Sequence, residues 1–261
     1  DGMFSNLGGA SFIDQIKFAH DNGFTAIEDN GMMDRPAAEQ EKIGQTLSDL
    51  NMSMGVFVIS FDHWPLSISM TSGDPTWRKK FIAYCTEAVT VAKRCNATYM
   101  TVVPGNYDHT KSLDMQLANV IETLRPGVEI LEKNNLVMVL EPLSDTPELF
   151  LRHSDQTYAI CKAMNSPACK ILFDMYHMQR NEGNIIANID RCWDEIGYFQ
   201  IGDNPGRKEP GTGEMNYKNI FKHIHDKGYQ GVLGMEHGTA GKGKEGELAL
   251  IKAYREADSL I

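Results

Sequence analysis

Four side chains that end in oxygen each close a short apolar run. Val137-Met-Val-Leu leads into Glu141, and Pro142 stops it. Cys169-Lys-Ile-Leu-Phe leads into Asp174, Gly197-Tyr-Phe into Gln200, and Gly231-Val-Leu-Gly-Met into Glu236. These residues lie 33, 26 and 36 positions apart, each about one strand–helix–strand unit of roughly 30 residues. A continuous apolar strand is what a parallel sheet buried on both faces requires. Enzymes on such sheets and barrels keep their chemistry at the carboxyl ends of the strands. Three carboxylates and an amide oxygen converging there form a hard, oxygen-rich site suited to Mg²⁺, Mn²⁺ or a similar divalent ion. One acid at a strand end is usually a cap or a loop-facing group. Four in successive units are much harder to obtain by chance.

The elements that must carry these residues follow from periodicity and punctuation. Phe12 to Asn22 has helical spacing and Gly23 closes it. Phe24 to Glu28 reads as a strand, Pro36 opens a helix to about Leu50, and Met52 to Phe61 reads as the next strand. Asp74-Pro75 caps a long helix to about Cys95, and Ala97 to Val103 is a strand ending in Pro104-Gly105. Ser112 to Asn134 is helical and leads to the Glu141 strand. Helices from Ser154 to about Met164, near Asn184 to Asp194, near Tyr217 to Lys227 and from about Gly246 separate or follow the remaining strands. Such alternation argues one α/β domain over residues 1–261, and right-handed crossovers favour a barrel or an open sheet. Seven strands are visible, near residues 24, 53, 97, 136, 170, 197 and 231, whereas a closed (β/α)₈ barrel wants eight. The expected fold is that barrel with its first strand truncated, or squeezed into the first few residues. An open seven-stranded sheet is the alternative.

Length, 261 residues, suits one such barrel. A formal net charge of −10 disfavours nucleic acid, which wants clustered Lys and Arg. Gly241-Lys-Gly-Lys-Glu-Gly246 follows no phosphate-loop pattern and reads as a flexible loop. The five cysteines, Cys85, Cys95, Cys161, Cys169 and Cys192, form no CxxC pair and read as small core residues. No run of about eighteen apolar residues exists, so no membrane span is expected. A cytoplasmic location is favoured. Export stays open, because the chain starts at Asp1 and an upstream signal would not be visible. Oligomeric state is also open.

Longer motifs carry a resemblance. Gln200-Ile-Gly-Asp-Asn-Pro-Gly-Arg207-Lys-Glu-Pro-Gly-Thr-Gly-Glu214-Met-Asn-Tyr217, the Asp174-Met-Tyr-His177-Met-Gln179 element, Leu140-Glu141-Pro142-Leu143 and Met235-Glu236 resemble the hydroxypyruvate isomerase group of the xylose-isomerase-like barrel superfamily. The likeness is strong from 136 to 236 and rests on spacing alone before residue 80. It implies a divalent metal (Mg, Mn, Zn or Co) held by Glu141, Asp174, Gln200 and Glu236. It also implies that Glu141 and Glu236 act as acid and base. Related ketose 3-epimerases carry His where Gln200 stands. The Phe61-Asp-His63-Trp64 segment matches nothing in the group, and no function is carried onto His63.

Aldose–ketose interconversion moves a proton between adjacent carbons through an enediol. Two carboxylates flanking the substrate can do this, one as base and one as acid. A divalent cation then stabilises the developing negative charge. For hydroxypyruvate the product is tartronate semialdehyde. Arg207 is the best-placed partner for a substrate carboxylate, against the alternative of a surface cation pairing Glu209. His177 is assigned to substrate binding, against a structural role. Glu28 also ends a strand, and a structural or supporting role is expected for it rather than catalysis. Glu214 stays divided between loop structure and site support. Met32, Met33, Met175 and Met178 read as core or pocket lining. Ketose 3-epimerase and inosose dehydratase-like lyase chemistry share the metal site and form the main alternative. A histidine-rich trinuclear zinc nuclease does not fit these strand ends, and a binding protein with a vestigial site is the non-enzymatic alternative.

Overall fold

The computed structural model describes residues 2–259. Parallel strands alternate with helices from α1 (Phe12–Asp21) to α9 (Gly243–Asp258). The strands are β1 (Ala26–Ile27), β2 (Ser53–Met54), β3 (Phe57–Val58), β4 (Tyr99–Val102), β5 (Val137–Leu140), β6 (Cys169–Asp174), β7 (Ile196–Ile201) and β8 (Leu233–Met235). β1 pairs with β2, and β3 through β8 pair in sequence order, all parallel. This is the strand–helix barrel expected from the alternation.

One strand departs from the expectation, and the missing first strand agrees with it. The expected strand over Met52–Phe61 is broken into β2 and β3 at Gly55-Val56. A Cβ at Gly55 would overlap the Tyr198 hydroxyl, so only glycine lets the backbone dip there. Residues 3–8 form turns, and no strand precedes α1 among the described residues. The eight labelled strands therefore fill seven positions. No ladder joins β1 to β8 among the described residues. A cavity of about 1170 Å³ runs along that seam, lined by Phe4, Phe12, Thr25, Leu233 and Tyr254 among others.

The helices have ordinary causes. Asp74 caps α3 (Pro75–Cys95) by accepting from Thr76 N, Pro75 supplies the fixed φ of the first turn, and left-handed Asn96 ends it. One helix was not expected from sequence, and another starts three residues earlier than expected. α6 (Met175–Asn181) starts directly after β6, and α9 starts at Gly243, inside the stretch read as a flexible loop. No helix among the described residues is long and apolar enough to cross a membrane. All five cysteines are free and buried. Met32, Met175 and Met178 are buried in the main core between helices and sheet.

A smaller cluster fills the barrel interior: Val56, Val139, Leu172 and Tyr198, all fully buried. Side chains alternate faces along a strand. Val139, Leu172 and Tyr198 therefore point the same way as Glu141, Asp174 and Gln200, each two residues on. The apolar plug is the floor beneath those three groups, and burying each such aliphatic side chain contributes roughly 1.5–3 kcal/mol.

Candidate metal centre

The carboxyl ends of β5 to β8 bring the expected residues to one rim. Ligand atoms of Glu141, Asp174, His177 and Glu236 all lie within 4.8 Å of one another. Gln200 sits beside Asp174 in the β6–β7 register. That alignment depends on a bulge. Ile171 pairs with Ile196, but Leu172 pairs with Tyr198, so β7 carries one extra residue. Without it Asp174 would face Phe199, and the Gln200 amide would lie out of step with the acid.

Asp174 is fully buried and does two jobs. Its Oδ1 accepts from Tyr176 N at 2.7 Å and His177 N at 3.1 Å, capping α6. Its other oxygen stays with the cluster, 3.8 Å from His177 Nε2. The cap places His177 one turn on, at i+3, over the same rim. Sequence reasoning missed α6, although an Asp followed by a run without Gly or Pro was the available signal.

The His177 ring is oriented from behind. Ser144 N donates to Nδ1 at 3.1 Å, and Ser144 Oγ lies 2.8 Å from the same atom. A backbone N–H can only donate, so Nδ1 is the acceptor and Nε2 carries the proton. Burial and then Arg207 push the ring's pKa down to about 4, which keeps it neutral. Nε2 faces Glu141, Asp174 and Asp145 at 3.9, 3.8 and 3.8 Å, too far to hydrogen-bond any of them. In this tautomer His177 is a donor awaiting an acceptor rather than a cation ligand.

Arg207 does not pair with Glu209, whose carboxylate accepts from Ala240 N instead. Its Nη2 donates to Glu236 Oε2 at 2.7 Å and lies 3.4 Å from Asp174 Oδ2. Its guanidinium carbon stands 5.1 Å from the centre of the Tyr176 ring. The backbone takes a left-handed φ of 50°, uncommon without glycine. Arg207 N donates to Asp203 O, and Gly238 N donates to Arg207 O. Buried Asp203 organises the rest of the loop, accepting from Gly211 N, Gly213 N and Met215 N. Asp145, 3.9 Å from Arg207 Nη1, is a fourth rim carboxylate that sequence reasoning passed over. It lies in a loop with no strand-end signature.

Burial raises the pKa of Glu141 well above the usual carboxylate range, with Glu236 and Asp174 adding to the effect. Burial likewise raises Asp174 and Glu236. Glu236 is partly relieved by Arg207 and by Asn30, whose Nδ2 donates to it at 2.9 Å. Four acids against one guanidinium leave the ionised rim short of positive charge. Glu141 Oε1 and Gln200 Oε1 are buried without a hydrogen-bond partner. The Glu141, Asp174 and Glu236 oxygens lie at mutual distances one ion can span, and orphaned oxygens beside them are the kind of donor a hard divalent cation takes. Glu141, Asp174, Gln200 and Glu236 fit such an ion.

Comparison with known proteins agrees with the architecture. Hydroxypyruvate isomerase of Escherichia coli (strain K12) is 38% identical over 122 residues, covering 46% of this chain and 47% of that protein. The chain thus spans about half the length of the first curated relatives it matches. 2-Oxo-tetronate isomerase of Cupriavidus necator is 26% identical over 246 residues, 94% of this chain and 93% of that protein. The crystal structure of an AP endonuclease, family 2, from Brucella melitensis superposes with a TM-score of 0.81, at 23% identity and 94% coverage of both chains. That likeness is one of fold. With a family model matching residues 16–256, this protein belongs to the xylose isomerase-like TIM barrel family.

Proposed function

We propose that the protein is a metal-assisted isomerase of short 2-keto acids, with hydroxypyruvate to tartronate semialdehyde as the first reaction to test. The observation that carries this reading is the cluster of buried Glu141, Asp174 and His177 with half-buried Glu236, their ligand atoms within 4.8 Å of one another, together with the orphaned amide oxygen of Gln200. The names of the two relatives, hydroxypyruvate isomerase and 2-oxo-tetronate isomerase, point to the same substrate class. Both compounds carry a hydroxyl on the carbon next to the keto group.

Glu141, Asp174, Gln200 and Glu236 would hold the divalent ion, which supplies Lewis-acid stabilisation of negative charge developing on the substrate oxygens. Glu141 and Glu236 share the rim. One removes the proton from the hydroxyl-bearing carbon, and the other returns a proton to the former keto carbon. The hydroxyl proton moves to the neighbouring oxygen, so the product is an isomer with no net gain or loss. His177 Nε2–H is free to donate to a substrate oxygen. Arg207 presents Nη1 on the side where Nη2 is not engaged, and a substrate carboxylate can bind it there. Placed donors and bases of this kind each contribute roughly 10²–10⁴-fold.

The test is deuterium exchange at the substrate α-carbon in D₂O, read by NMR with Mg²⁺, Mn²⁺, Co²⁺ or Zn²⁺ added. Glu141→Gln and Glu236→Gln are each expected to lose at least about 10²-fold in exchange and turnover. Near-wild-type turnover in either variant would refute the two-glutamate reading. The same spectra, with 2-oxo-tetronate, fructose and inosose in parallel, separate isomerisation from 3-epimerisation and dehydration.

A further inference from the structure

Glu28, at the end of β1, takes no part in the reaction above, yet the fold makes room for its carboxyl group. A Cβ at Gly234 would overlap Glu28 Oε1, and one at Gly55 would press on Glu28 Cγ as well as the Tyr198 hydroxyl. Two glycines from separate strand positions thus leave the space this carboxyl group fills. Its Oε2 accepts from Gln200 Nε2 at 3.2 Å.

The consequence falls on Gln200. A side-chain amide has nearly the same shape either way round, with an acceptor at one end and two donors at the other. Beside Asp174 and its neighbouring acids, an unrestrained amide would turn its N–H groups toward the carboxylates, because charge-assisted bonds are the stronger ones. In that orientation Gln200 offers no oxygen to a cation. Here the nitrogen end is committed to Glu28, and the oxygen end is buried without a partner. We propose that Glu28 is a positioning residue: it fixes the Gln200 amide so that oxygen, not nitrogen, faces the cation site. This rests on the metal reading above.

The experiment strips the protein with a chelator and titrates it with Mn²⁺, reading affinity by calorimetry and the ion's environment by electron paramagnetic resonance. Glu28→Leu removes the acceptor and should weaken Mn²⁺ binding about 10–100-fold and alter the spectrum. Glu28→Gln keeps a carbonyl acceptor and should stay within a few-fold of wild type. In a Gln200→Ala background, Glu28→Leu should cost nothing further, because the residue acts through Gln200. If the leucine variant does not fold, Glu28→Met, whose flexible chain adapts to the space, takes its place. Equal losses with and without Gln200 would show Glu28 acting by charge alone and overturn the proposal. So would unchanged affinity in the leucine variant, or a glutamine variant as weak as it. Failure of the wild-type protein to bind any divalent ion would instead sink the metal reading itself.

Discussion

Glu28→Gln should make the metal-free protein markedly less sensitive to rising pH. Burial, followed by the nearby Glu236 charge, lifts the Glu28 pKa from 4.5 to about 8. Between those values the folded protein keeps a proton that the unfolded chain has already released. Its contribution is complete below pH 4.5 and is lost as pH rises toward 8. At 1.36 kcal/mol per pKa unit, the loss between pH 5 and pH 8 comes to about 3 kcal/mol. The glutamine variant does not titrate and escapes that loss. Glu141, Asp174 and Glu236 are also raised, so both proteins weaken with pH, and the difference between them isolates Glu28. Urea unfolding with excess chelator at pH 5 and pH 8, at fixed ionic strength, gives the four free energies. Differences that agree within about 1 kcal/mol would mean the carboxylate ionises without the cost its burial implies.

Other perturbations have equally definite outcomes. Gly234→Ala puts a methyl group against Glu28 Oε1 and should cost about 1–3 kcal/mol, seen as a lower Tm; an unchanged Tm would show that the carboxyl group has room to move. Asp203→Ala removes the acceptor of three backbone N–H groups, of which that of buried Met215 is left without water or partner at roughly 1–3 kcal/mol. Faster amide exchange at Gly211, Gly213 and Met215, with a raised KM, should follow. Mn²⁺ at about 100 times its Kd should stabilise the wild-type protein by about 2.7 kcal/mol and Asp174→Ala far less. Equal shifts in both would place the ion elsewhere.

Much of this was legible in the chain itself. The run Val137–Leu140, stopped by Pro142, reads as a strand covered on both faces, and a buried Glu141 at its end is costly unless something pairs with it. The same grammar at Asp174, Gln200 and Glu236, at unit-length spacings, determined both the α/β class and which side chains share a rim. Caps such as Asp74-Pro75 set helix starts to the residue, because cap chemistry is local. What the tertiary structure decided was relative position across elements. The bulge that brings Gln200 level with Asp174, the split of one strand at Gly55, the Ser144 bond that sets the His177 tautomer and the attachment of Arg207 to Glu236 all join residues distant in sequence. Periodicity reports which face a residue takes within its own element. It carries no information on the register of one strand against the next, and on that register depends which side chains stand level on one rim.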